Sequence, residues 1–401
     1  MKLSQICGFS LLSLLILSFS PDWGFFGHRK INRMAVFTLP EDMLPLYKKN
    51  IEYIEEHAVD ADKRRYATKF EAIRHYIDID AWGTYPYADL PRDFNEALLV
   101  HSDFLLINEL RKDTVKMTVA NAEDKMIWLI GADTIMMPSK KQCLYFFGHY
   151  IKPQYYEDEW QIRVDSFDQF FQKSSPYLSL KYDKIIVVDH LSEHGILPYY
   201  LEEATKKLTR AFERQDANDI LRNSADIGHY IGDAHVPLHT TRNYNGQFTD
   251  QVGIHAFWES RLPELYSEKS YDFLVGQADY VDDLRSYFWN IVLESNSNLD
   301  SVLSIEKRLS QTFPSDQQYC FDERLGLTVK IQCEAYSNAY HEAMSGMVED
   351  RMTKAIHAIG SIWYTAWVNA GQPDLSKLNA GEVKQEEFKV NPNVKTREHE
   401  N

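Results

Sequence analysis

The chain has little cysteine, four in 401 residues, too few for the disulfide-dense framework of a small exported domain. It is also short of positive charge. Lys and Arg total 43 against 59 Asp and Glu, a net charge of −16, so no global field attracts polyanions. If the protein handles nucleic acid or phospholipid, bound cations must supply the positive charge locally. No internal repeat or Gly/Ser linker divides the chain, and beyond the first twenty residues no apolar run is long enough to span a membrane. What remains is a globular composition, 44% hydrophobic, 13% aromatic and 25% charged, which excludes disordered and low-complexity classes for most of the length.

Lys2, the apolar run Ile6 to Phe19 and the small residues Ser18 and Ser20 read as a secretory signal peptide over residues 1–20. The expectation is an exported protein, periplasmic or secreted. The body then spans 21–371, and 372–401 is a polar, solvated, disordered tail. Tyr336, Tyr340, Met344, Val348, Met352, Ile356, Ile359, Trp363 and Trp367 recur at helical spacing and predict one long helix stopped by Gly371 and Pro373. Ile31 to Val36 is a short helix, Glu41 to Glu56 another. Tyr199 to His235 holds two, broken near Gln215–Asp219, with Ala225, Gly228 and Gly232 leaving room for a close neighbour. Val115–Val119, Met126–Ile130 and Lys184–Val188 look extended. The fold class is mainly α, a multi-helix core with a mixed, partly extended insertion at about 81–190.

The chemistry concentrates between Asn223 and Leu262. His229 and Asp233 stand four apart on a predicted helix and share one face. Pro237 ends that helix, with His239 just beyond, and His255 and Glu259 form a second pair. With 14 His and 59 acids, about two such pairs arise by chance. Two are present, so the pairs alone carry little. Their weight comes from joint arrangement with Trp23 and His28, with Asp60, Asp62 and Arg65 in AVDADKRRY, and with His75 and Asp78 in RHYIDID.

In that order the elements resemble the superfamily that joins the single-strand-specific secreted nucleases of the S-one/P-one type to the bacterial zinc-dependent phospholipases C. The resemblance covers 23–80 and 199–371. It implies a phospholipase C/nuclease-like fold and two to three zinc ions. The first would be held by His75, His229, Asp233 and one upstream aspartate: Asp62 by the Ala-Asp-x-x-Arg match, or Asp60 by its spacing to the histidine. The second would be held by His239, His255 and Glu259. The third would be held by His28, the bridging Asp233, and the amine and carbonyl of Trp23. Asp78 would orient His75, and Arg65, Lys63 or Arg64 would neutralise charge developing on phosphate. The expected activity is an endonuclease hydrolysing single-stranded DNA or RNA through a zinc-bound hydroxide. The alternatives are a phospholipase C-type phosphodiesterase on phospholipid and a non-catalytic zinc-binding surface protein.

The sequence departs from the pattern in two places, and a third position divides its two branches. The cleavage rule leaves Pro21 and Asp22 ahead of Trp23, which then has no free amine. Glu259 stands where the nucleases use Asp, as in the phospholipases. His235 stands where the phospholipases use Asn, as in the nucleases, and is expected to pack or to support a ligand. His190 and His194, also four apart, fall outside the pattern and read as a solvated helix end. Cys320 and Cys333 are spaced to close a short loop, leaving Cys143 unpaired.

Overall fold

The computed structural model describes residues 25–171, 178–324 and 327–381. The signal segment 1–20, Trp23 and residues 382–401 lie outside the described residues. The chain is mainly helical, with one six-stranded antiparallel sheet. Among the described residues no helix is long and apolar enough to cross a membrane.

The centre is the antiparallel pair Leu197–Arg214 and Ala217–Ala234. Between them Gln215 takes a left-handed conformation, φ 53°. The Asp216 carboxylate then accepts from the Asn218 and Asp219 amides at 3.1 Å, capping the second helix. The helix Phe25–Ala35 lies against this second helix because the latter lacks side chains where they meet. A Cβ on Gly228 would stand 2.0 Å from Asn32 Oδ1, and one on Gly232 2.8 Å from His28 Nδ1. Asn32 Nδ2 donates to the Ala225 carbonyl at 3.0 Å, across the close contact.

The helix Met347–Asn369 covers the same bundle, with Ile356, Ile359 and Trp363 buried and the Trp363 indole donating to Ser224 O at 3.0 Å. The single helix expected from Tyr336 to Trp367 is in fact two, Glu334–Ala343 and Met347–Asn369. Ser345 and Gly346, at φ 52° and 83°, turn the chain between them, while the apolar spacing runs on through the break. Glu41 to Glu56 is likewise divided, into Leu44–Lys49 and Ile51–Glu56. Asn50 interrupts it, its side-chain Nδ2 donating to Leu46 O at 2.7 Å.

The sheet lies wholly between residues 102 and 189. Its strands are β1 (Ser102–Asn108), β2 (Asp113–Ala122), β3 (Lys125–Ile130), β4 (Asp133–Met136), β5 (Trp160–Arg163) and β6 (Lys184–Asp189), in the order β4-β3-β2-β1-β6-β5. The three segments read as extended fall in β2, β3 and β6. Alternate residues such as Phe104, Leu106, Met117 and Val119 are buried, as the two-residue repeat of a half-covered strand requires. Phe104 and Phe167 meet the Trp128 ring edge-on. Cys143 is buried and unpaired, and Cys320 is joined to Cys333 in a disulfide across the hairpin Tyr319–Arg324 and Leu327–Gln332. The tail differs from expectation at its start: Leu375 is 1% exposed, and Asn379 Oδ1 accepts from Lys49 Nζ at 2.6 Å. Leu378 and Ala380, partly buried, pack against the same core.

The replacement Gly228→Ala should force Asn32 aside and lower stability by about 1–3 kcal/mol. Urea unfolding should show the midpoint falling with an unchanged slope.

Candidate metal centre

Four segments far apart in sequence converge at one end of the Ala217–Ala234 helix. That helix presents His229 and Asp233 one turn apart. Pro237 permits no further turn, and the 3-10 turn Pro237–Thr240 carries His239. Gly253, at φ 97°, starts the turn Ile254–Ala256 that holds His255, and the wider π-helical turn Phe257–Arg261 carries Glu259. His75 arrives from the other side, locked to the His239 turn in both directions. The Ile77 amide donates to His239 O at 2.9 Å, and His239 Nδ1 donates to His75 O. His28 comes from the first helix, its ring stacked on His229 at 3.9 Å between centroids, in the space left by Gly232.

Asp233 lies between several of these rings. Its Oδ2 lies 2.9 Å from His75 Nδ1 and 3.3 Å from His229 Nε2, and its Oδ1 lies 3.4 Å from His28 Nε2 and 3.8 Å from His239 Nδ1. Beside it, His255 Nε2 is 2.7 Å and His239 Nε2 3.2 Å from Glu259 Oε2, and the two ring nitrogens are 3.0 Å apart. Four overlapping groups result: His75–His229–Asp233, His28–Asp62–His229, His28–Asp233–Glu259 and His239–His255–Glu259. Within each, the donor atoms all lie within 4.8 Å of one another. All five imidazoles are buried.

These groups can hold metal ions, and the proton inventory favours a cation. His229 Nδ1 donates to Ala58 O at 2.8 Å, and His239 Nδ1 donates to His75 O. Each therefore turns its other nitrogen, a bare lone pair in the neutral ring, toward carboxylates and further imidazoles. Lone pairs and anions at such separations repel unless a positive charge stands between them. Ligands about 2.1 Å from a tetrahedral ion are roughly 3.4 Å apart, comparable to the spacing found. Without an ion, protons must take its place. Burial disfavours the charged form of His229, but Asp233 and Asp62 outweigh it and raise the ring to about 9. Burial likewise opposes His239, and Asp233 and Glu259 raise it to about 9. Burial dominates for His75 and His255, which are lowered. Burial would raise Asp233 and Glu259, yet the histidines hold both well below the carboxylate range.

Of the two aspartates left open by sequence, Asp62 is the one at the cluster, with Oδ1 3.8 Å from His229 Nε2 and 3.9 Å from His75 Nδ1. Asp60 turns aside to His57 Nδ1 at 2.5 Å and Lys63 Nζ at 2.9 Å. Arg65 is buried beside Asp62, donating to its Oδ1 at 3.2 Å and to Tyr66 Oη at 3.1 Å. Arg64 instead pairs with Asp226 at 2.9 Å and Glu71 at 3.2 Å. Asp78, expected to orient His75, has His194 Nδ1 3.5 Å away, and the carboxylate oxygen beside His75 Nδ1 is Asp233 Oδ2 at 2.9 Å. His235 packs; its Nδ1 donates to Ile231 O at 2.7 Å, and burial, with Arg351 close by, lowers it to about 3. His190 pairs with Asp103 at 3.1 Å, and neither it nor His194 joins a metal-holding group.

Sequence reasoning missed the support beneath His75. The Tyr230 ring meets it edge-on at 5.2 Å, and the Tyr230 hydroxyl donates to buried Glu71, which also binds Arg64 and Arg74. Only the adjacency of Tyr230 to His229 pointed there. No family model, curated protein or solved structure matches the chain, so the functional reading rests on residues and geometry.

Because His229 and His239 are raised above the usual histidine value, their protonation stabilises the metal-free fold fully below pH about 6.5. That contribution is lost as pH rises through about 9. The melting temperature of chelated protein should fall across this window, while metal-loaded protein, with ions in place of those protons, should show a flatter profile by calorimetry. Asp62→Asn should lower metal content in elemental analysis by weakening one site, whereas Asp60→Asn should leave the count unchanged.

Proposed function

We propose that this chain is an exported zinc-dependent phosphodiesterase and that its substrate is single-stranded DNA or RNA. The observation that carries the reading is the Asp233 carboxylate, whose two oxygens face different imidazoles, so that donor groups for two to three ions adjoin one another. Clustered cations are what a strongly acidic protein needs in order to bind a phosphodiester. A buried mixture of imidazole and carboxylate suits zinc.

His75, His229, Asp62 and Asp233 would hold one ion, His239, His255 and Glu259 another, and His28 with Asp233 a third. When bound, zinc supplies Lewis acidity toward phosphoryl oxygen and lowers the pKa of water to about 7. Asp233, kept ionised, accepts a hydrogen bond from the attacking water and orients it. Buried Arg65, anchored on Asp62 and Tyr66, brings positive charge toward the phosphate as negative charge develops there. Half-buried Tyr76, next to His75 in sequence and donating from its hydroxyl to Glu193 O at 3.2 Å, and Tyr244, edge-on to His255 at 6.4 Å, bring aromatic rings to the cluster, the side-chain type on which bases stack.

A second reading, phospholipid as substrate, is favoured by one feature. Phe248 and Val252, on the loop between His239 and His255, are 71% and 58% exposed, an apolar surface suited to lipid. Purified protein should therefore be offered single-stranded nucleic acid and phosphatidylcholine, each with and without chelator. The expected outcome is cleavage of the nucleic acid alone, abolished by chelator and reduced at least about a hundredfold by His229→Ala or His239→Ala. Full activity in either variant contradicts the site, and lipid cleavage alone transfers the assignment to the second reading.

A further inference from the structure

Glu71 stands four residues before His75, on the short helix Lys69–Ala72, and is 3% exposed. It belongs to no metal-holding group, yet three segments that supply the His75–His229 site meet at its carboxylate. The Tyr230 hydroxyl donates to it from the Ala217–Ala234 helix, beside His229. Arg64 Nε donates to it at 3.2 Å from the helix Asp60–Arg64, two residues after Asp62. Arg74 donates to it from the position before His75. Arg64 closes the network: its Nη2 lies 2.9 Å from Asp226 Oδ2 and donates to Tyr230 Oη at 3.4 Å, both on the ligand-bearing helix.

Two carboxylates and two guanidiniums therefore balance one another beneath His75. Burial would raise Glu71, but Arg74 and Arg64 hold it below the usual carboxylate range. Neutralising one member of such a set leaves a cation without its partner, which is costly where water is scarce. None of Arg64, Glu71, Arg74, Asp226 and Tyr230 lies on the turns that carry His239, His255 and Glu259. The His239 turn does meet the His75 arm, through residues 75 and 77, but those bonds do not use the Glu71 side chain.

We propose, on the reading that the cluster holds at least two zinc ions, that Glu71 is a positioning residue for one of them alone. It sets His75 and Asp62 against His229. Its loss weakens the ion that these residues hold with Asp233 and spares the ion of His239, His255 and Glu259. Residues behind metal ligands commonly carry a factor of about 10–100 in affinity.

Zinc is titrated by calorimetry into the metal-free full chain, as wild type, Glu71→Gln and Tyr230→Phe. Wild type should take up at least two ions. Glu71→Gln should weaken one site about 10–100-fold and leave another unchanged. Tyr230→Phe, which keeps the ring and removes only the hydrogen bond to Glu71, should weaken the same site about threefold. Anomalous diffraction from Glu71→Gln crystals at limiting zinc should keep the peak among His239, His255 and Glu259 and lose the one among His75 and His229. If Glu71→Gln does not fold by circular dichroism, Tyr230→Phe decides by the same criterion. A melting temperature that falls while every zinc affinity stays as in wild type, or all sites weakened equally, overturns the proposal and leaves the metal centre standing. A wild type that takes up no zinc overturns the metal centre and the proposal with it.

Discussion

The structure is organised around a crowding of lone pairs that cannot be left bare. Five imidazoles and the carboxylates of Asp62, Asp233 and Glu259 are drawn into one buried volume, and two of the rings have hydrogen-bond partners behind them that fix which nitrogen faces inward. The backbone carbonyls of Ala58 and His75 do this for His229 and His239. Without positive charge in the middle the arrangement is repulsive, and protons or metal ions must supply it. The raised values of His229 and His239 are the metal-free form of that requirement.

The fold serves this convergence through missing atoms as much as through those present. Gly232 has no side chain, so His28 reaches Asp233. Gly228 has none, so Asn32 seats against Ala225 and sets how close the first helix comes. Trp363 ties the C-terminal helix to Ser224 on the same ligand-bearing helix. These contacts keep donors on rigid elements, where small errors of placement would otherwise weaken a metal site. The six-stranded sheet has its own apolar face around Trp128 and contributes no donor to the cluster.

Much of the site was legible in sequence because local spacing has geometric consequences. Residues four apart on a helix share a face, so His229–Asp233 and His255–Glu259 could be paired on sight, and Pro237 located the turn holding His239. Other features depend on tertiary detail that spacing does not carry. Asp60 and Asp62 lie two residues apart in one short helix, and only the placement of His57 and Lys63 shows that Asp60 is engaged elsewhere. Nor does spacing show that Asp78 has His194 beside it, at 3.5 Å. The breaks at Asn50 and Ser345–Gly346 were hidden because apolar residues on either side kept a helical repeat. The seating of Leu375 was hidden by the charge around it. Three strands of the sheet were legible as extended runs; β1, β4 and β5 take their places through pairing with distant neighbours.

The central claim is that these side chains form a cage for more than one divalent ion around a shared carboxylate. Anomalous diffraction at the zinc edge, from crystals grown with zinc, tests it most directly. The account predicts at least two strong peaks flanking Asp233, one among His75 and His229 and another among His239, His255 and Glu259. A map with no peak within bonding distance of Asp233, while the imidazoles keep their positions, would contradict it.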